Sequence, residues 1–206
     1  LTSPFLVLED FMSPMRCEDL VDECEFFVPD TDIGGTPISS RKTCETAQSI
    51  IYHRLIQDIP IIESTYSVQY RGMESMEFEW YPTESFGQVR NENSAFINNK
   101  WARINTRDFT GVLFLTDYQD NVPFDGEYEV YGGKLEFPRH GFSFNPKRGT
   151  LVIFPSDPRF SNATSHVFVG EAVQVRIQMV MTTPYKYDPR QFPGDFRSWF
   201  ASAGAK

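Results

Sequence analysis

The sequence predicts a mainly β protein with helices at its N-terminal side, folded as an antiparallel sandwich or jelly roll. Three observations carry that prediction. From Arg107 to Gln178 the chain is a succession of short apolar runs, separated at roughly even spacing by Gly and Pro turn residues. Near its end Val173, Val175, Ile177, Met179 and Met181 alternate with Gln174, Arg176, Gln178 and Val180, the period of a strand with one buried face. Aromatic residues make up 15% of the chain, with 19 Phe, which suits a sheet-based core packed with rings.

In chain order, the run FLVL from Phe5 to Leu8 is a first strand. Ser13 and Pro14 supply an N-cap and a first-turn proline for a helix reaching about Phe26. Asp30 to Ser40 is a loop, marked by Gly34, Gly35 and Pro37. A second helix spans about Lys42 to Asp58. Cys44, Ala47, Ile51 and Leu55 form its apolar stripe, Pro60 is expected to stop it, and His53 lies beside the stripe. Thr65–Arg71 and Ser75–Tyr81 read as a hairpin turning near Gly72. Glu77 and Glu79 alternate with Met76, Phe78 and Trp80, and are expected on a solvated face. Pro82 to Thr106 is a long polar connection rich in asparagine, and such loops usually serve function or order against a partner.

The β core follows. Asp108–Leu115 is a strand, Gly132 and Gly133 turn the chain into LEF at 135–137, and the turn from Pro146 to Gly149 feeds TLVIF at 150–154, which Pro155 stops. The last stretch, 183–206, interleaves Pro184, Pro189 and Pro193 with six aromatic residues. It cannot be one regular element and should pack on the domain or a neighbouring subunit. The division expected is one domain over 1–182 (1–64 the N-terminal strand and helices, 65–182 the β core) followed by the tail at 183–206.

A net charge of −9 argues against general nucleic-acid affinity and against binding to anionic membranes. No apolar run reaches the length needed to span a bilayer, and no signal-peptide pattern opens the sequence. The expectation is a cytoplasmic or virion-associated protein, not one secreted through a signal peptide. Cys17 and Cys24, if they share a helix, lie about 10 Å apart, too far for a disulfide, so Cys17, Cys24 and Cys44 read as buried thiols. Gly132-Gly133 lacks a nucleotide-loop pattern, and the sequon from Asn162 to Thr164 carries no meaning without secretion.

The strand RDFTGVLFLTDY, the turn GGKLEF and the segment PKRGTLVIFPS together resemble the catalytic core of the 2-oxoglutarate and Fe(II)-dependent oxygenases. Within that family the likeness is to the prolyl 4-hydroxylase-like branch, including versions found in phage genomes. The segment SPMRC at 13–17 resembles a stretch in the family's first helix. The resemblance implies a double-stranded β-helix (jelly roll). It also implies an iron held by two histidines and a carboxylate, with open positions for 2-oxoglutarate and oxygen. Carried onto this sequence, the triad positions fall on Arg90, Glu92 and Asn162. An arginine has no lone pair to give, and an amide oxygen is a feeble iron ligand beside imidazole. Two of the three positions are therefore degenerate. A slipped register offers Glu92 and His166 as an alternative metal pair. Arg176, ten residues after His166, is then a candidate anchor for the cosubstrate carboxylate, provided that it faces the barrel interior. His53 and His140 match no ligand motif.

Two functional readings follow. The favoured one is a non-catalytic, oxygenase-like pseudoenzyme that needs no cofactor and serves as a structural or binding module. It would act on a protein partner or a second copy of itself, and the phage-type resemblance points to a virion. The other is an active hydroxylase of protein or nucleotide substrates that uses Fe(II) and 2-oxoglutarate at an atypical site around Glu92 and His166. For the first reading, Arg90, Glu92 and Asn162 are expected to form a hydrogen-bonded cluster that closes the former metal site.

Overall fold

The computed structural model describes residues 3–24, 40–42, 44–120, 128–138, 140–183 and 185. The loop expected at Asp30–Ser40, apart from Ser40 itself, and nearly all of the tail after Thr183 lie outside those residues. Strand β1 (Leu6–Leu8) is followed by helix α1 (Pro14–Glu23), capped by the Ser13 hydroxyl, which accepts from the Arg16 N–H. Strand β2 (Ser40–Lys42) precedes helix α2 (Glu45–Tyr66). Pro60 does not stop α2. It removes one rung of the helix, but Ile62 and Tyr66 beyond it are buried, and their packing outweighs the lost bond. The helix ends at Ser67, whose φ of 53° is left-handed and whose N–H donates to the Glu63 carbonyl.

Next come β3 (Tyr70–Met73), β4 (Glu77–Tyr81), β5 (Ser94–Ile97), β6 (Lys100–Arg103), β7 (Phe109–Phe114), β8 (Asp117–Tyr118), β9 (Glu129–Gly132) and β10 (Leu135–Phe137). Strands β11 (Phe142–Phe144) and β12 (Leu151–Pro155), a short 3-10 turn, β13 (Ala163–Thr164), β14 (Val167–Gly170) and β15 (Ala172–Met181) complete the order. One seven-stranded antiparallel sheet runs β1-β12-β7-β15-β4-β2, with β3 also on β15. Two three-stranded sheets, β11-β10-β13 and β14-β9-β8, form the second layer, making the fold a double-stranded β-helix.

Three expectations are corrected here. Residues 65–81 do not form a hairpin: Thr65 belongs to α2, and β3 and β4 lie end to end along β15, opposite Met179–Met181 and Ala172–Arg176. The long connection at 82–106 contains its own hairpin, β5-β6, turned by Asn98 and Asn99. Both have positive φ (49° and 59°), the pair of left-handed residues that a two-residue hairpin turn demands. Strand β15 has two buried faces, not one, because Gln174, Arg176 and Gln178 are as buried as their apolar neighbours.

Those two faces organise the core. Val175, Ile177 and Met179 pack with Phe78, Phe109, Leu113 and Ile153 against the inner faces of α1 and α2. On the other side Val112, Phe114, Val152 and Phe154 meet Leu135 and Phe137 of the second layer, with Phe5 and Phe160 closing the cluster. Gly149, at φ 81°, sits against Met12, where a Cβ would run into the Met12 carbonyl oxygen. This pins the entry of α1 to the turn before β12. Among the described residues no helix is long and apolar enough to cross a membrane.

Candidate functional site

The polar half of the barrel interior is built by three elements. Strand β15 points Gln174, Arg176 and Gln178 inward in a row. Strand β4 lies beside it in a register that sets Glu79 opposite Gln174, so Glu79 enters the same interior. The segment before β5 brings in Arg90 and Glu92. It is held there because Arg90 and Asn162 exchange both backbone hydrogen bonds, at 2.9 and 3.0 Å. Asparagines fasten the rest of that segment: Asn105 Nδ2 donates to the Glu92 carbonyl at 2.8 Å and Asn93 Nδ2 to the Arg107 carbonyl at 3.0 Å.

Two guanidiniums and two carboxylates alternate in a closed ring. Arg90 Nη2 donates to Glu79 Oε1 at 2.6 Å and Arg90 Nε to Glu92 Oε1 at 2.8 Å. From the barrel floor, Arg176 Nη1 donates to the same Glu92 oxygen at 2.9 Å, and Arg176 Nε reaches Glu79 Oε2 at 3.4 Å. The outer oxygens are also taken: Gln178 Nε2 donates to Glu92 Oε2 at 2.8 Å, and Gln174 Nε2 to Glu79 Oε2 at 2.7 Å. Asn162 Oδ1 accepts from Arg176 Nη1 at 2.9 Å. Arg176 is 1% exposed and Glu79 fully buried, whereas Arg90 is 18% exposed, so Arg90 forms the outer side of the ring. Burial pushes the Glu92 carboxyl above its ordinary range, against the pull of Arg90 and with Glu79 adding to the rise. Burial alone would lower Arg90, but the Glu79 and Glu92 carboxylates outweigh it and hold the guanidinium firmly protonated.

The solvated face expected for Glu77 and Glu79 is thus corrected. Both do share one face of β4, but in a closed barrel that face is the interior, where Glu79 meets Arg90 and Arg176. Arg176 faces the interior as well. The other site candidates are scattered. His166 turns to Glu84, 3.5 Å away at the surface, and its ring lies edge-on to Phe168. His53 is exposed on α2, bonded to the Ser49 carbonyl, and His140 bonds the Arg159 carbonyl. The sequence reading missed Glu79, Gln174 and Gln178. The signal was there in phase: polar residues on neighbouring central strands of a closed sheet, alternating with core residues, have only the interior to occupy.

The residues present do not fit the iron of the oxygenase family. Arg90 cannot ligate, its guanidinium lies across Glu92, and the Asn162 amide oxygen is engaged by Arg176. Among the described residues no group of three or more His, Cys, Asp or Glu is placed to hold a metal.

No protein-family model and no curated protein matches this sequence. Solved structures do match. A viral collagen prolyl hydroxylase from Paramecium Bursaria Chlorella virus-1, in its 2OG complex, superposes with a TM-score of 0.65 at 14% identity, covering 88% of this chain and 97% of that one. A Pseudomonas putida prolyl-4-hydroxylase gives 0.60 at 16%, over 88% and 95% of the two chains. HygX from Streptomyces hygroscopicus, with nickel and 2-oxoglutarate bound, gives 0.55 at 14%, over 91% and 86%. The fold is therefore that of the prolyl 4-hydroxylase-like 2-oxoglutarate and Fe(II) oxygenases.

Proposed function

We propose that the protein is a non-catalytic, oxygenase-like module, kept for its rigid barrel and used for binding or assembly with a protein partner or a second copy of itself. A single observation carries this reading. The Arg90 guanidinium lies between Glu79 and Glu92, where a metal-binding barrel would need open ligands. An arginine cannot ligate, and removing it from two buried carboxylates is costly. A virion-associated role is the finer form of the proposal. It rests on the resemblance to phage-type relatives alone.

The second reading, an active Fe(II)- and 2-oxoglutarate-dependent hydroxylase, is favoured by Arg176 facing the interior, the side on which a cosubstrate anchor would lie. Against it stands the engagement of both Glu92 oxygens by Arg90, Arg176 and Gln178. The deciding experiment is conversion of 2-oxoglutarate to succinate by the unmutated protein, beside anaerobic titration with Fe(II). The expected result is no iron-dependent succinate release and no saturable site at micromolar iron. Steady iron-dependent turnover would overturn the proposal.

A further inference from the structure

The ring has a property that a pair of surface salt bridges lacks: each carboxylate is fixed by groups other than Arg90. Glu79 is held by Gln174 and Tyr81, and Glu92 by Gln178 and Arg176. The two acids therefore keep their positions without Arg90, aimed at one small space. Arg90 fills that space with two donors, Nη2 and Nε, on carboxylates from two different chain segments, and its stem enters from the barrel mouth. A planar cation with several in-plane N–H groups suits this space better than a spherical one. We propose that Glu79 and Glu92 form a guanidinium-binding site that Arg90 occupies in cis. The chain thus carries its own ligand, tethered to the segment that leads into β5, and this occupation latches that segment over the barrel.

The inference rests on the reading that Arg90 stays in the site. Succinate release by the unmutated protein would sink that reading, whereas the following test reads stability alone. Arg90→Ala leaves the two carboxylates facing a void, with Arg176 between them and Arg107 3.7 Å from Glu92 Oε2 as the remaining close cations. Its melting temperature should fall by about 10 °C. Guanidinium chloride at tens of millimolar, well below denaturing concentrations, should then raise the melting temperature of Arg90→Ala by roughly 5 °C over a matched sodium chloride control. The unmutated protein should not respond. Adding Glu79→Gln to Arg90→Ala removes the orphaned charge. This double variant should melt above Arg90→Ala and lose the response to guanidinium, and it provides a folded test protein if the single variant does not fold. Failure of guanidinium to stabilise Arg90→Ala beyond sodium chloride would overturn the proposal. So would stabilisation by Mn(II) in its place, or a double variant no more stable than the single one.

Discussion

Arg90 and Asn162 are antiparallel backbone partners, each donating its N–H to the other's carbonyl. The two positions that the family resemblance assigns to imidazoles are thus neighbours across a two-bond bridge, with the Glu92 carboxylate two residues along. This geometry makes a direct test possible. Arg90→His with Asn162→His should bring two imidazoles and Glu92 together and create weak, saturable Fe(II) or Mn(II) binding in anaerobic calorimetry. It also breaks the buried ring, so the double variant should lose about 3–5 kcal/mol in urea denaturation. Full stability with no metal binding would show that the positions are wrongly matched.

Tyr66 ties the last turn of α2 to the sheet. Its hydroxyl lies 2.9 Å from both the Pro4 and Ile153 carbonyl oxygens and accepts the Leu6 N–H at 3.1 Å. Tyr66→Phe keeps the ring packing on Phe109 and leaves that N–H without its acceptor and one of the two carbonyls without the hydroxyl proton. A loss of about 1–3 kcal/mol is expected, because buried orphans cost more than the bond itself contributes. The check is a shift in urea midpoint at unchanged slope.

How much was legible follows the physics of each element. The strands of the core were readable because Gly132, Gly149 and Pro155 punctuate them and their apolar runs are long. The continuation of α2 past Pro60 was not, because local rules count the lost rung and not the distant burial of Ile62 and Tyr66. The β5-β6 turn was legible in principle from Asn98-Asn99, yet the abundance of asparagine around it masked the signal. For the site, the Arg90 and Glu92 contact followed from a two-residue spacing on one segment. The phase of Glu79 and Arg176 along their strands is written in the sequence, but which of the two faces is enclosed depends on barrel closure, a property of the whole topology.

Cys17 has a consequence at alkaline pH. Burial, opposed by Arg148 and aided by Asp117, pushes its thiol up to about 12. In the unfolded chain it titrates near its ordinary value of about 8.5. Between those limits the unfolded state gives up a proton that the folded state keeps. The stabilising contribution is therefore complete below about pH 8.5 and declines by about 1.4 kcal/mol per pH unit up to about pH 12. Cys17→Ala should show a shallower loss of stability between pH 8.5 and 10, by on the order of 2 kcal/mol, in urea melts at the two pH values. Parallel curves for the two proteins would refute the assignment.

The ring itself makes the sharpest stability prediction, because its members are not independent. Arg176 is 1% exposed and serves Glu92, Glu79 and Asn162 at once. Arg176→Met fills much of the same volume but leaves Glu79 with Arg90 and Glu92 with Arg90 and the more distant Arg107, and it should cost about 3–5 kcal/mol. Glu79→Gln removes one acid, keeps a hydrogen-bonding oxygen for Arg90 and Arg176, and should cost less. Combined, the two changes restore charge balance, with Arg90 facing Glu92. The double variant should therefore be more stable than Arg176→Met alone, giving a coupling energy on the order of 1–3 kcal/mol between positions 79 and 176. The measurement is a double-mutant cycle by urea denaturation at neutral pH. Simple additivity, with the double variant the least stable of the four proteins, would mean that the charges are solvated and that the ring does not act as a unit.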